Sequence, residues 1–255
     1  MSESFTPAGW HFRFLQQARW TQELRHYLYR RADLKNARYV LDVGCGTGVL
    51  ATELERLCQA DIIGLDIAHN FLELAMRKTG RAKLVQGDAH HLPFSTHTYD
   101  LAACHFLLLW VTDPFQVMKE MRRVVRPGGA VLALAEPDYG GRVDYPQELA
   151  ILGDLQRVSL RQQGADPLMG RKLANIFHKA GLVSVETGVL GGQWATAPSK
   201  EDWELEWRTL EHDLKQTSGP VMSPEALKAL DWEAYQNGER ILFVPTFYAM
   251  GVVPG

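Results

Sequence analysis

The sequence predicts an α/β fold, a doubly wound sheet of seven mostly parallel strands with extra helical segments at its amino end and in its second half. Three observations lead there. Between residues 38 and 136, short apolar runs alternate with segments of helical period, the rhythm of a parallel sheet covered on both faces. One of those runs passes through Asp42 into Gly44-Cys45-Gly46-Thr47-Gly48 and then at once into a helix pattern, the corner at which open α/β sheets hold nucleotides. Finally, 255 residues with 46% hydrophobic and 22% charged side chains can bury one substantial core.

The elements follow in order. Residues 10–33 have a helical pattern rich in Trp, Phe, Tyr and Arg, which suits a helix lying over something rather than inside a core. Strands are expected at Tyr39–Val43, Asp61–Leu65, Ala82–Gln86, Tyr99–Cys104 and Ala130–Ala135. Leu50, Leu54 and Leu57 mark the first intervening helix, and Phe71, Leu74 and Ala75 the second. Val117, Met118, Met121, Val124 and Val125 mark a third, with Asp113-Pro114 as its start and Arg126-Pro127-Gly128-Gly129 as its stop. Beyond 136, helices are expected near 146–162 and 168–180, the second stopped by Gly181. Strand Val183–Val189 comes next, then a helix over 199–215 capped by Ser199, with Trp203, Trp207, Leu210 and Leu214 on one face. Ser223-Pro224 opens another helix. The run Ile241–Val253 reads as a final strand whose Pro245 suits an edge or bulge. No repeat or low-complexity linker divides the chain. It reads as a single domain over 1–255, with a helical cap at 1–37, a ligand-binding core at 38–136, and late strands with helical insertions at 137–255.

Composition excludes several roles. The net charge of −3 gives no basic surface for a phosphate backbone, so nucleic acid is not the expected partner. No apolar run reaches membrane-span length, and the first twenty residues lack the apolar core of a signal peptide. Cys45, Cys58 and Cys104 all fall in apolar elements and read as reduced core thiols, so a cytoplasmic protein is expected. His90, His91, His97 and His105 show no metal-ligand spacing, and no metal is expected.

The string Asp42-Val43-Gly44-Cys45-Gly46-Thr47-Gly48, with Asp66 at the end of the second strand, Gly87-Asp88-Ala89 and Leu92-Pro93-Phe94 after the third, and Tyr99-Asp100 opening the fourth, resembles the class I S-adenosylmethionine-dependent methyltransferases. Within them it looks like the small-molecule, type 11 or UbiE-like, group. The likeness is close over 39–136 and extends through the late strands. It implies a Rossmann-like sheet, mostly parallel with an antiparallel late strand, and late helical insertions that form a lid.

It also implies S-adenosyl-L-methionine as cofactor and S-adenosyl-L-homocysteine as product. Gly44, Cys45, Gly46 and Gly48 would receive the methionine carboxylate, and Asp42 would balance the ammonium. Asp66 would take the ribose hydroxyls. Gly87, Asp88 and Ala89 would read the adenine edge, with Ile67 on its face. Cys104 and His105, at the tip of strand four, would lie beside the sulfonium.

Methyl transfer from a sulfonium is an in-line displacement that needs a base only for a protonated acceptor. By location, His105, Tyr139 and His11 are the candidates. Trp10, Tyr139, Trp194 and Trp207 are expected to line the site of a small, apolar or aromatic methyl acceptor. Asp138, Arg142 and Arg161 could orient a polar group on it. A monomer or homodimer is expected, with no membrane partner. Two rivals stand beside this reading. One is a cofactor-binding module without chemistry. The other is a nicotinamide-dependent oxidoreductase, which would want its third glycine one residue later. The place of the Asn/Asp-Pro-Pro-Tyr/Phe tetrapeptide of nucleic-acid amino methylation reads Cys104-His105-Phe106-Leu107.

Overall fold

The computed structural model describes residues 6–191, 198–214 and 223–255. Seven strands form the main sheet: β1 (Tyr39–Val43), β2 (Asp61–Asp66), β3 (Lys83–Gln86), β4 (Tyr99–Cys104), β5 (Val125–Pro137), β7 (Val183–Leu190) and β9 (Thr246–Val252). A separate ribbon pairs β6 (Val143–Tyr145) with β8 (Ile241–Phe243). The main order is β3-β2-β1-β4-β5-β9-β7, in which β9 alone runs antiparallel to its two neighbours. Strand order reverses beside β1, so the loops leaving β1 and β4 diverge and open a crevice at their carboxyl ends.

Successive residues of a strand face opposite sides of the sheet. Leu41, Val43, Ala102, Cys104, Val131 and Ala133 accordingly join one core, while Val40, Leu101, Ala103, Leu132 and Leu134 join the other. The first core is covered by α5 (Pro114–Val124) and α7 (Leu173–Lys179), the second by α2 (Gln22–Arg31) and α3 (Val49–Leu57). The short α4 (His69–Ala75) follows β2. Strand β4 is buried along its whole length, which fits a central strand.

The expected punctuation holds. Asp113 accepts the Gln116 N–H at 3.0 Å to cap α5. Ser199 Oγ accepts from Asp202 N at the start of α8 (Lys200–Leu214), and Ser223 Oγ from Ala226 N at the start of α9 (Pro224–Gln236). Two expectations need correcting. The amino-terminal stretch is two helices, α1 (Pro7–Trp20) and α2, broken at Thr21. The run 241–253 is also not one strand: it breaks at Val244-Pro245, its first part joining β6 and its second the main sheet. Proline cannot donate to a ladder, so the chain changes sheets there.

The second half carries a satellite core of Leu149, Leu152, Trp203, Trp207, Leu210 and Leu227 beneath α6 (Ala150–Gln162), α8 and α9. A buried ionic cluster fastens it. Arg240 pairs with Asp144 and Asp231, and Arg142 pairs with Asp144. Asp231 also accepts both indole N–H groups, from Trp203 at 2.6 Å and Trp207 at 2.7 Å. Two guanidinium groups balance two carboxylates, so no net charge is buried. Among the described residues no helix is long and apolar enough to cross a membrane.

Candidate functional site

The turn after β1 is built on left-handed backbone. Gly44, Gly46 and Gly48 have φ of 74°, 52° and 78°, a region that side chains disfavour. The Gly44 and Cys45 N–H groups donate to Leu65 O, which fixes the turn to β2. Asp66, at the tip of β2, then spans the corner: Oδ2 accepts from Gly46 N at 2.7 Å and Oδ1 from Ala68 N at 2.8 Å. Carboxylate and glycine turn are thus one rigid unit, each oxygen keeping lone-pair capacity for further donors.

Asp42 lies beneath this turn, buried, with the Ala51 N–H of α3 donating to it. Its Oδ2 is sealed from solvent and has no partner among the described residues. Burial pushes its carboxyl up to about 7, and the neighbouring Asp66 adds to the effect. A sealed oxygen without a partner is costly unless a ligand supplies a donor or positive charge nearby.

At the tip of β3, Gly87 N donates to Asp66 O at 3.0 Å, so this turn is tied to the same corner. Asp88 Oδ1 accepts from His90 N at 2.9 Å and His90 Nδ1 at 2.7 Å. These bonds hold its carboxyl below the usual carboxylate range, the backbone donor first. The Ala89 N–H has no partner among the described residues. Ile67, one residue past the tip of β2, is 67% exposed.

The tip of β4 is shaped from β5. Glu136 is fully buried and accepts from Leu107 N (3.0 Å), Leu108 N (2.8 Å) and Leu109 N (3.2 Å). Burial raises this carboxyl to about 7 while the three N–H groups pull it down. Leu107 is thereby held against the glycine turn, since a Cβ on Gly44 would lie 2.7 Å from its side chain. His105 turns toward the α1–α2 junction, with Nε2 2.8 Å from Thr21 Oγ1. Arg25, itself buried, donates to the same hydroxyl at 2.5 Å and to Glu53. Burial first, and then the Arg25 charge, holds the His105 imidazole well below its usual pKa, so it is neutral near pH 7.

Helix α1 lies across the corner. His11 Nδ1 is 2.8 Å from Thr47 Oγ1, and a Cβ on Gly46 would meet the Phe14 ring at 3.1 Å. Burial, with Lys78 nearby, lowers the His11 pKa as well. Trp10 stacks on Phe14, and Phe14 meets Phe71 of α4 edge-on. On the helix's other side, Arg13 pairs with Glu206, Arg19 with Asp202, and Gln16 donates to Asp202 O, which joins α1 to α8. A cavity of about 840 Å³ opens between α1 and α8, lined by Trp10, Phe12, Leu15, Leu205 and Arg208 among others. It lies along the α1–α8 seam, and none of Gly44 to Gly48 lines it.

The corner brings together Asp42, Gly44, Gly46, Gly48, Asp66 and Ile67, with Gly87, Asp88 and Ala89 next along the sheet edge. Other expected residues fall elsewhere. Cys45 and Cys104 are buried, Cys45 against Gly64 and Cys104 inside the core, so only their main chains reach the strand tips. Trp207 is 1% exposed with its indole bonded to Asp231, a core residue and not a lining one. Trp194 lies outside the described residues. Tyr139 begins a single helical turn after β5, half-buried, its N–H on Pro167 O. Asp138 is spent on Arg171 and Arg142 on Asp144, while Arg161 is exposed at the end of α6. Sequence reasoning missed Phe14, Thr21, Arg25 and Thr47. Only Thr47, inside the glycine string, had a local signal.

Comparison with known proteins places the chain in a family. Residues 41–133 match the model of a family described as "Methyltransferase domain". Demethylmenaquinone methyltransferase of Geobacillus kaustophilus (strain HTA426) is 31% identical over 193 residues, covering 68% of this chain and 81% of that protein. The protein of the same name from Bacillus cereus (strain ATCC 10987 / NRS 248) is 34% identical over 187 residues, covering 64% and 79%. Among solved structures, phosphoethanolamine N-methyltransferase 2 of Haemonchus contortus, in complex with S-adenosyl-L-methionine, superposes with a TM-score of 0.61. It is 19% identical and covers 99% of this chain and 58% of that one, a likeness of fold.

Proposed function

This chain belongs to the class I S-adenosylmethionine-dependent methyltransferases, and from that premise we propose that it methylates a small, apolar or aromatic metabolite by in-line displacement. When bound, S-adenosylmethionine supplies a sulfonium-activated methyl group and leaves as S-adenosylhomocysteine.

The observation that carries the reading is the β1–β2 corner: three left-handed glycines, braced by Asp66 over a sealed and unpartnered Asp42 oxygen. Within the turn the Gly44, Cys45, Gly46 and Gly48 N–H groups are already bonded, so the Thr47 N–H and the first N–H groups of α3 are the donors for the carboxylate of the amino-acid end. Asp42 offsets its ammonium. Asp66 accepts from the ribose hydroxyls, Asp88 and the Ala89 N–H meet the adenine edge, and Ile67 packs on its face. Acceptor chemistry falls to the residues at the tips of β4 and β5 and to α1, where Trp10, Phe106 and Tyr139 favour an aromatic or apolar partner. Two relatives carry the name of a small-molecule acceptor, demethylmenaquinone, which supports that class. Three buried, unbridged cysteines support a reducing, cytoplasmic setting.

Incubation with isotopically labelled cofactor and a metabolite extract, followed by mass spectrometry, is expected to give a labelled apolar or aromatic product. Cofactor binding with no labelled product across such extracts would leave only a binding module.

Two predictions arise here. With the Asp42 pKa near 7, the carboxylate that balances the ammonium is present above pH 7 and lost below it. Affinity for S-adenosylhomocysteine is therefore expected to fall about tenfold between pH 7.5 and 5.5, and Asp42→Asn to flatten that profile in calorimetry. The same raised pKa sets the sign for the unliganded fold. The stabilising contribution of the protonated form is complete below the ordinary value of 3.8 and is lost as pH rises through about 7.

His105 is neutral at physiological pH, and its place at the tip of β4 makes it the candidate base for an acceptor hydroxyl. His105→Ala is expected to lower kcat at least about tenfold with cofactor affinity unchanged. A smaller loss, measured with the labelled acceptor, would remove its role as a base.

A further inference from the structure

The Asp88 carboxylate is aimed by a histidine whose tautomer the structure fixes. Nε2 of His90 receives the main-chain N–H of Asp113 at 3.2 Å, with Thr112 Oγ1 3.3 Å away. A main-chain N–H can only donate, so Nε2 is the lone-pair nitrogen and the neutral ring carries its proton on Nδ1. That proton goes to Asp88 Oδ1 at 2.7 Å, the oxygen that also accepts from His90 N at 2.9 Å. A third tie comes from Gln116 Nε2, which donates to His90 O at 3.1 Å. His90 is thus held by the start of α5, where Asp113 caps the helix through Gln116 N.

Two donors on Oδ1 leave Oδ2 as the free acceptor of Asp88. One residue on, the Ala89 N–H has no partner among the described residues, whereas the N–H groups of His90 and His91 both go to Asp88. An acceptor followed at once by a donor complements an amine beside a ring nitrogen, the edge of a 6-aminopurine. A 6-oxopurine reverses both features, with a carbonyl oxygen against Oδ2 and a ring N–H against the Ala89 N–H. Sites built around such paired hydrogen bonds reject the mismatched analogue because their own groups are left unpaired. That rejection needs Oδ2 to stay aimed. Asp88 is half-exposed, with 46% of its side chain accessible, and an unrestrained carboxylate there would rotate away from the mismatch.

We propose that His90 is a positioning residue that sets the enzyme's selectivity for a 6-aminopurine cofactor by locking Asp88 to the start of α5. The proposal rests on the assignment of Asp88 and Ala89 to the adenine edge.

Calorimetric titration with S-adenosylhomocysteine and with its 6-oxo counterpart, S-inosylhomocysteine, tests it without any turnover. In His90→Ala the ratio of the two affinities is expected to fall about tenfold, because the unlocked carboxylate turns away from the mismatch and the 6-oxo ligand binds more tightly. His90→Asn, which places an amide nitrogen where Nδ1 stands, is expected to restore most of the ratio. An unchanged ratio in His90→Ala, or equal weakening of both ligands, overturns the proposal. Asp88→Ala separates the two levels. If it abolishes selectivity while His90→Ala keeps it, the role of His90 alone is lost. If Asp88→Ala itself keeps selectivity, the adenine assignment fails and takes the proposal with it.

Discussion

Gly46→Val is expected to reduce cofactor affinity by on the order of 100-fold or more while leaving a folded protein. The backbone at Gly46 has φ of 52°. A β-branched residue there costs about 1–2 kcal/mol in backbone strain. Its Cβ would also meet Phe14 at 3.1 Å, and the outer methyls would press further into that ring. Overpacking of this kind costs about 1–3 kcal/mol. The turn has one direction in which to relax, away from α1, and that withdraws the Gly46 N–H from Asp66. Stabilities of roughly 5–15 kcal/mol absorb such a cost, but the binding geometry does not survive it. Calorimetry with S-adenosylhomocysteine, beside a thermal melt, checks both halves. Undiminished affinity in a folded variant would contradict the assignment of this turn.

Asp66→Ala is expected to weaken binding still further, by about 1000-fold, because it removes two functions together. The ribose loses a charged acceptor, worth about 1.5–3 kcal/mol. The Gly46 and Ala68 N–H groups lose their partner as well, at about 1–3 kcal/mol for each that stays dry. Asp66→Asn keeps the shape and one oxygen, but its amide nitrogen must face one of the two N–H donors. Its loss is expected to approach that of alanine. If Asp66→Asn bound like wild type, the carboxylate would not be the brace of the corner.

Much of this was legible in the chain before its fold was known, for a definite reason. The glycines, Asp66, and the Gly87-Asp88-Ala89 turn sit at strand ends, where a local apolar run announces the strand and the next residue is its tip. The helix starts at Asp113, Ser199 and Ser223 were readable because a cap is a bond between residues three apart.

What escaped was set by contacts distant in sequence. Thr21 reaches His105 and Arg25 reaches Glu53 across separate elements, and no periodicity encodes either. Strand β6 is only Val143-Asp144-Tyr145, too short to show an alternation, and exists because β8 pairs with it. The wealth of aromatics in the insertions points Trp207 toward the acceptor, while the helical face it shares with Trp203 suits ordinary core, and spacing alone does not say which side is covered. The covering groups, Asp231 and Leu227, come from α9.

Helix α1 touches the glycine turn with one face, through His11 and Phe14, and α8 with the other, through Arg13, Gln16 and Arg19. It is one element in contact with both sides of the site. A ligand that shifts α1 against α8 is therefore expected to disturb Gly46, and one that shifts the glycine turn to disturb Glu206. Thermodynamic linkage makes the effect symmetric: whatever factor the methyl donor contributes to acceptor affinity, the acceptor returns to the donor. Weakening the Arg13–Glu206 pair is expected to change that shared factor.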